Sequence, residues 1–411
     1  MTTAGSSSRL IKTGPGQLAY TGVGVNELSG GANPGVSVVA GTLFFNGSAG
    51  NQTNHNQQEF WVGGTPASGA SMIVSNAFMN LDSWFAVGRG NGNIGNTSSV
   101  SFYNSTMSCN GFSFGYNNGL PNLAFQTMTM SGNSSVTNRG CNSNIFGESA
   151  GSTVTAIIQD NSLLYSGSFI SIGGGNGAVA SMLVKNNGRI YDTGDFNVTD
   201  NAGSVASLTI QDNATVSVAT VYIGKSINAA VTCTGTVSMV SGTFIARTGD
   251  FRVGSSGYGT VNQSGGLVIA SNWVTMGRNT LGTAPANTNS IGIYNLSGGT
   301  FMKVFTGNNN VNVGENGTGT LTVSGTGSFL MPGSLMNIGI GNTGNGTVNL
   351  DGGSITVGRV AHGTGTATFN FNGGTLIAGN ANANFMTNLT TANVKGGGAI
   401  IDSGTNVITI A

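Results

Sequence analysis

Residues 311–339, VNVGENGTGTLTVSGTGSFLMPGSLMNIG, contain one full unit of a pattern that recurs along the chain. An apolar-x-apolar-Gly strand, Val311–Gly314, is followed by a polar loop and a second alternating strand, Leu321–Val323. A Gly/Asn turn and a third strand then lead to the next copy, Met336–Gly339. Repeats of three short strands are typical of a β-solenoid, in which each coil buries its apolar face by stacking on its neighbours. The sequence therefore predicts an all-β parallel β-helix with three strands per coil.

The glycine that ends the first strand of each repeat, here called the anchor strand, gives the register of the whole chain. The anchor positions are Gly63, Gly88, Gly115, Gly147, Gly173, Thr199, Gly224, Gly254, Gly277, Gly314, Gly339, Gly358 and Gly379. Their spacing of about 26 residues predicts about 13–14 coils in a single domain. At about 4.8 Å per coil, the rod would be about 65 Å long. Residues 1–9 are then a polar N-terminal tail, and residues 10–411 form the β-helix with variable loops after the anchor glycines.

The turn between the second and third strands repeats its chemistry from coil to coil. Its copies are Gln159-Asp160-Asn161, Lys185-Asn186-Asn187, Gln211-Asp212-Asn213, Ser264-Gly265-Gly266, Ser297-Gly298-Gly299, Asp351-Gly352-Gly353 and Asn372-Gly373-Gly374. Asn, Asp and Gly tolerate the left-handed backbone of a tight corner, and stacked Asn amides can hydrogen-bond along the axis. We expect these corners to support the scaffold.

Composition narrows the setting of the protein. The chain has 70 Gly residues and 6% charged residues, and its 13 basic and 13 acidic residues leave no net charge. A neutral surface favours neither nucleic acid nor an anionic membrane as a partner. No run of apolar residues is long enough to cross a bilayer, so we expect no membrane insertion. A nearly uncharged Asn/Thr/Ser/Gly surface suits an extracellular or cell-surface location.

The loop after each anchor glycine varies in length, which predicts a ledge along one side of the helix. The long copies are Arg89 to Ser98, Tyr116 to Gln126, Lys225 to Gly235 and, longest, Arg278 to Ser290. Such a ledge is often the binding face of a repeat protein, although tolerated insertions explain it equally well. Trp61, Trp84 and Trp273 lie at or beside the anchor strand, where outward-facing rings would suit carbohydrate binding.

A catalytic site would need clustered carboxylates, because parallel β-helices that cleave acidic polysaccharides rely on them. The best candidates are Asp192, Asp195 and Asp200, with Asp160 and Asp212 one corner away. Asp195 belongs to a Thr-Gly-Asp-Phe segment that recurs at Thr248–Phe251, so it fits turn chemistry better. His55 and His362 lie far apart in sequence and are expected at the surface. We therefore predict no catalytic, metal or cofactor site.

The cysteines and phenylalanines fit the scaffold. Cys109 and Cys141 each precede an anchor glycine by the same interval, so they should occupy equivalent positions in consecutive coils, where a disulfide is a possibility. Cys233 has no evident partner and is expected to be a buried small apolar residue. Stacked rings inside the coils are expected at Phe85, Phe112, Phe114, Phe146, Phe196 and Phe251.

Both ends of the chain resemble a known family. Leu10–Leu18, LIKTGPGQL, and Val38–Leu43, VVAGTL, resemble the autotransporter-associated β-strand repeat of large bacterial surface proteins. Val394–Asp402, VKGGGAIID, is similar to segments of the same proteins. The resemblance implies a secreted or surface-displayed, right-handed parallel β-helix, commonly an adhesin or a structural stalk without catalytic residues.

The expected function is that of a non-enzymatic extracellular structural protein, such as a self-assembling filament or surface-fibre subunit. No amphipathic helix caps either terminus, and Ile400–Ala411 still alternates as strand. Since native solenoids normally cover their edges, this is either a piece of a longer solenoid or a subunit that stacks end to end on identical copies. The alternatives are an adhesin that binds glycans or cells, extracellular polysaccharide being its partner, a polysaccharide-degrading enzyme, and a phage tail fibre or spike.

Overall fold

The computed structural model describes residues 8–63, 69–89, 97–116, 125–140, 142–226, 232–279, 290–304 and 310–410. All regular structure in these residues is β-strand. The chain divides into two compact units, Met1–Asp195 with Gly203–Ala206, and Phe196–Ala202 with Ser207–Ala411. In each unit the strands pair in parallel with the equivalent strand of the next coil. Each unit is thus a parallel β-helix with three strands per coil, as predicted, and the strands of the two units make about 14 turns.

The first unit contains three columns of stacked strands. Its anchor strands are β1 (Leu10–Lys12), β4 (Val36–Val38), β7 (Phe60–Val62), β10 (Phe85–Val87), β13 (Phe112–Phe114), β16 (Asn144–Phe146) and β19 (Ile170–Ile172). Its second strands are β2 (Gln17–Tyr20), β5 (Gly41–Asn46), β8 (Ala70–Ser75), β11 (Thr97–Tyr103), β14 (Phe125–Ser131), β17 (Thr153–Ile158) and β20 (Val179–Val184). Its third strands are β3 (Gly24–Glu27), β6 (Gln52–Asn56), β9 (Phe78–Leu81), β12 (Thr106–Cys109), β15 (Ser135–Asn138), β18 (Leu163–Ser166) and β21 (Arg189–Asp192).

Two strands, β22 (Asp195–Val198) and β23 (Val205–Ile210), contain residues of both units. The anchor strands of the second unit are β25 (Thr220–Lys225), β28 (Phe251–Ser255), β31 (Val274–Arg278), β34 (Val311–Glu315), β39 (Asn382–Thr387) and β42 (Ile408–Ile410). Its second strands are β26 (Thr234–Met239), β29 (Tyr258–Gln263), β32 (Ile291–Leu296), β37 (Thr366–Phe371) and β40 (Thr391–Val394). Its third strands are β24 (Thr215–Val218), β27 (Thr243–Ala246), β30 (Leu267–Ala270), β33 (Thr300–Lys303), β38 (Thr375–Ala378) and β41 (Ile400–Asp402). Two long strands, β35 (Thr318–Ile340) and β36 (Asn345–His362), each pass through all three columns.

The anchor and corner predictions hold for most of the chain. From Gly63 to Gly339 every predicted anchor residue has a positive φ, including Thr199 with a φ of 73°. The corner residues Asp160, Asn186 and Asp212 share this conformation. The Asn186 amide donates to Asp160 Oδ1 at 2.9 Å, so side chains do hydrogen-bond from coil to coil. Short polar residues at these positions therefore fix the corner geometry.

The last two predicted anchors are wrong. Ile355, Thr356 and Val357 pair with Leu376, Ile377 and Ala378, in the column of third strands. Gly358 and Gly379 therefore follow third strands, not anchor strands. The anchor segment of that coil is instead Val360–His362, which pairs with Met336–Ile338. The error arose because third strands carry the same apolar-x-apolar-Gly letters.

The predicted equivalence of Cys109 and Cys141 is also wrong. Cys109 ends β12 and lies opposite Asn138, the last residue of β15. Cys141 comes after β15 and lies outside the described residues. Cys109 is a free, buried thiol, and burial raises its pKa to about 12. Cys233 is buried as predicted, but its sulfur accepts a hydrogen bond from Thr199 Oγ1 at 3.2 Å.

The core consists of inward-facing side chains stacked along each column. The predicted phenylalanines are all buried, and Phe114 stacks on Phe146 with ring centroids 5.0 Å apart. Polar residues also form inner stacks, since Asn138 and Asp192 both lie opposite Ser166 in their columns and all three are buried. The inward stacks are thus not wholly apolar.

Candidate functional site

The outward face of the anchor strands holds an unusual share of the charged residues of the protein. The residue directly after the anchor position is charged or aromatic at Arg89, Tyr116, Glu148, Asp200, Lys225, Arg278 and Glu315. From the sequence, Arg89, Tyr116, Lys225 and Arg278 were expected at the start of variable loops and Asp200 among the candidate catalytic carboxylates. Beneath them, outward residues of the anchor strands such as Ala86, Ser113 and Thr275 are buried. The charged side chains therefore cover the sheet.

In the first unit these side chains form a closed cluster around Arg89. Its guanidinium carbon lies 5.2 Å from the centroid of the Trp61 ring and 4.7 Å from that of Tyr116. A guanidinium nitrogen lies 2.9 Å from Glu59 Oε2, to which Trp61 Nε1 also donates at 2.6 Å. Cation–π and ionic contacts thus hold Arg89 on several sides. Arg89 thus covers the ring of Trp61, one of the three tryptophans considered for carbohydrate binding.

Glu148 is the second carboxylate near this cluster. Burial raises its pKa, while a hydrogen bond donated by Ser113 Oγ and the charge of Arg89 act in the opposite direction. A carboxyl group with a raised pKa can serve as a general acid only if it reaches a substrate. Glu148 instead faces the Ser113 hydroxyl on the covered sheet. Its environment is that of a packed side chain.

The second unit repeats this arrangement with different residues. Lys225 Nζ lies 2.8 Å from Asp200 Oδ1 and 5.0 Å from the Tyr222 ring centroid. The guanidinium carbon of Arg252 lies 5.0 Å from the centroid of the same ring, and Arg252 Nη2 donates to Asp250 Oδ2 at 2.6 Å.

Two further side chains extend this network. Arg278 Nη1 lies 3.6 Å from Asp250 Oδ2, and Arg278 Nε lies 3.2 Å from Glu315 Oε1. Each of the three cations, Lys225, Arg252 and Arg278, contacts a carboxylate, so the charges compensate one another. This arrangement can tie neighbouring coils together, whereas partial burial with fixed partners leaves these carboxylates poorly placed to receive a substrate.

The carboxylates considered for catalysis do not form a shared site within either unit. Asp192 lies inside the coil with 0% exposure, and burial raises its pKa to about 7. Asp160 is at the outer corner, where a hydrogen bond from the Gly132 backbone N–H and one from Asn186 lower its pKa. Asp195 begins β22 after the predicted turn. Asp200, as described, pairs with Lys225, and Asp212 occupies a left-handed corner.

The two histidines differ in their surroundings. His55 Nδ1 lies 2.6 Å from Glu27 Oε2, and His55 Nε2 lies 2.8 Å from Asp82 Oδ2. Partial burial lowers the pKa of His55, but the hydrogen bonds and charges of Asp82 and Glu27 outweigh it and raise the pKa overall. Since both partners are acceptors, both ring nitrogens donate when His55 is protonated. His362 Nε2 contacts the Gly365 carbonyl oxygen at 2.6 Å.

A groove opens at the corner between the second and third strands of the first unit. It has a volume of about 280 Å³ and is lined by neutral residues, among them Asn51, Thr53, Asn76, Phe78 and Thr106. The Phe78 side chain is 49% exposed. Phe78 was not among the residues predicted to bind a ligand, because phenylalanines were expected in the core. Phe78 nevertheless alternates with the buried Met79 and Leu81, which places it on the outer face.

Most of the predicted ledge lies outside the described residues, namely 90–96, 117–124, 227–231 and 280–289. In the part of the chain that the structure describes, no helix is long and apolar enough to cross a membrane. The described residues also contain no group of three or more His, Cys, Asp or Glu side chains arranged to hold a metal ion. A scan against protein-family models, a search of curated proteins and a search of solved structures each found no match to the chain. The resemblance to autotransporter-associated repeats therefore stays a prediction.

Proposed function

We propose that this protein is a non-enzymatic extracellular structural protein whose β-helices stack end to end on identical copies. The observation that carries the proposal is the last coil of the second unit. Its inward positions are Val394, Ile401 and Ile410, which lie opposite Phe371, Leu376 and Met386 of the preceding coil. These three side chains are 67%, 36% and 49% exposed, respectively. They occupy core positions that no strand of the described residues covers on the other side.

The backbone of this coil is open as well. Within the described chain, β40, β41 and β42 pair on one side only, with β37, β38 and β39. Unpaired edges of this kind are templates for the addition of another strand. The first coil offers strands of similar length, since β2 and β40 each have four residues. In a junction between copies, β40 and β41 would pair with β2 and β3. The anchor strands β42 and β1 would then fall at the same place in the stack, so one of the two would be displaced from it.

Burial of the exposed core residues would drive this association. Covering apolar surface contributes about 25 cal/mol per Å², and each newly paired strand also satisfies backbone groups. The extracellular setting is supported by the 6% charged composition. The non-enzymatic assignment is supported by the compensated charges on the anchor sheet, where carboxylates contact arginines or lysines.

The groove at Phe78 favours a second candidate function, that of an adhesin. Exposed aromatic rings with neutral polar neighbours occur in ligand sites. This function is compatible with end-to-end assembly, because the groove lies on the side of the first unit and not on a terminal strand.

Sedimentation velocity and electron microscopy across a concentration series test the assembly. The wild-type chain should form polymers, whereas Ile401→Lys should weaken association at least about 100-fold, since it places a charge in an apolar contact. Val240→Lys is the matched control, because Val240 is an exposed valine in a turn of the same unit. Wild-type protein that stays monomeric at every concentration would overturn the proposal, as would equal loss of association in both variants.

A further inference from the structure

We propose that the groove around Phe78 is a binding site for a neutral saccharide. This inference goes beyond end-to-end assembly and does not depend on it. It rests on the outward position of one aromatic ring, on unused hydrogen-bonding groups around that ring, and on the absence of charge among the described residues that line the groove.

The ring of Phe78 is held on a rigid strand. Phe78 begins β9 and lies opposite Thr53 on one side and Thr106 on the other. The next residue, Met79, is fully buried and fixes the strand against the core. A half-exposed phenylalanine at this point offers an apolar face with little loss of side-chain entropy on binding. The apolar face of a sugar ring can pack on such a surface.

Three of the hydrogen-bonding side chains that line the groove are not used by the described part of the protein. The side chains of Asn51, Thr53 and Thr106 make no hydrogen bond to any described residue. Asn76 donates from its amide nitrogen to Ser75 Oγ at 3.1 Å. Amides and hydroxyls both donate and accept, so they match the hydroxyl groups of a sugar.

The floor and rim of the groove are already in place. Gln52 donates from Nε2 to the carbonyl oxygens of Tyr20 and Gly22, at 3.0 and 2.9 Å. Asn76 and Asn104 occupy left-handed corners with φ of 51° and 47°. A preformed site loses less free energy on binding than one that must be ordered.

Size and charge narrow the ligand class. The volume of about 280 Å³ lies near the lower end of ligand pockets, which begin at about 300 Å³, so the groove suits one or two sugar rings of a longer chain. An acidic saccharide would leave its carboxylate without a cationic partner here, because the lining residues are neutral. The site is therefore specific for neutral sugars.

Isothermal titration calorimetry tests the site. The neutral probes are four trisaccharides: maltotriose, cellotriose, mannotriose and N-acetylated chitotriose. Trigalacturonate is the acidic comparison. At least one neutral probe should bind with a Kd of about 1 mM or tighter. Phe78→Ala should weaken this binding at least about tenfold. Thr106→Val, which removes one hydroxyl and keeps the shape and strand preference, should weaken it about threefold or more.

Phe125→Ala is the matched control. Phe125 is 58% exposed and lies between Thr97 and Thr153, a cross-strand setting like that of Phe78, but it is on a second strand and outside the groove. The affinity of the Phe125→Ala variant for the neutral probe should equal that of the wild type. The proposal is overturned if no neutral probe binds, if trigalacturonate binds as tightly, or if the folded Phe78→Ala and Thr106→Val variants bind like the control.

Discussion

The first coils of the chain and its last coil are built from the same three kinds of strand, yet their inward positions differ in chemistry. At the start, inward residues include Lys12 and Asn26, followed one coil later by the buried polar residues Gln52, Asn54 and Asn56. At the end, the inward positions of β40, β41 and β42 carry exposed valine and isoleucine side chains.

Hydrogen bonds account for the polar start. Lys12 Nζ donates to the carbonyl oxygens of Thr13, Gly14 and Ala40, at 3.0, 2.8 and 2.8 Å. The Asn26 amide donates to Asn54 Oδ1 at 2.8 Å. These bonds satisfy the polar inward groups of the first coil from within, which we call its closure, while β2 and β3 pair on one side only within the described residues and keep their other backbone edge open. The last coil lacks such bonds at its apolar inward positions, which is why we place the driving force for assembly there.

The largest expected effect concerns the buried carboxyl group of Asp192 in the first unit, which lowers the free energy of unfolding at neutral pH. Since the pKa of Asp192 is raised from 3.8 to about 7, the folded chain holds its proton where the unfolded chain has lost it. The free energy of unfolding should therefore fall as pH rises from about 4 to 7. Asp192→Asn removes the titration, and we expect it to stabilise the protein at pH 8 by about 2–4 kcal/mol.

Asparagine suits this position, because the inward stack that contains Asp192 and Ser166 also contains Asn138. Urea unfolding at pH 4 and pH 8 measures the effect. Asp195→Asn removes a neighbouring carboxylate whose charge also raises the pKa of Asp192, so it should reduce the pH dependence without abolishing it. A pH dependence that survives in Asp192→Asn would contradict the assignment.

Lys12→Met tests the closure of the first coil directly. The variant keeps the length of the side chain but removes three hydrogen bonds donated by an ammonium group. We expect a loss of about 1.5–3 kcal/mol, because bonds to charged groups are worth about that much. Hydrogen exchange read by mass spectrometry should show the loss at β1, β2 and β4, while peptides of β40 and β41 exchange as before. Uniform loss of protection along the chain would show that Lys12 has no local closing role.

The sequence predicted the repeat well because its glycines and asparagines mark backbone conformations. The positive φ of Gly224 and the left-handed corner at Asn186 follow from residue type alone. The register failed where two columns share the same letters, as at Gly358. The contacts of Arg89 with Trp61 and Tyr116 depend on which side chains of neighbouring coils lie next to each other. The alternation of apolar and polar residues does not predict these contacts. Phe78 was predictable from alternation, but its free polar neighbours come from the two coils on either side of it.

The smallest effect concerns the contact that links β3 to the coil after it. His55 bridges Glu27 of β3 and Asp82, which follows β9, and the pKa of His55 is raised by these two carboxylates. Because this pKa is raised in the folded state, protonated His55 stabilises the fold at pH values below the ordinary histidine pKa. This stabilisation is lost as the pH rises through the pKa of His55 in the folded state. Exposure to solvent limits the effect to about 1 kcal/mol.

Hydrogen exchange at β3 and β6, compared at pH 5.5 and pH 8.5 after correction for the intrinsic rate, measures this loss. The difference should vanish in His55→Gln and persist in His362→Gln, since His362 contacts only a backbone carbonyl at Gly365 within the described chain. It should also persist in Asp192→Asn, which separates the contribution of this surface contact from that of the buried carboxyl. If the pH effect at β3 disappears in Asp192→Asn and remains in His55→Gln, the polar start of the chain is closed by Lys12 and Asn26 without help from His55.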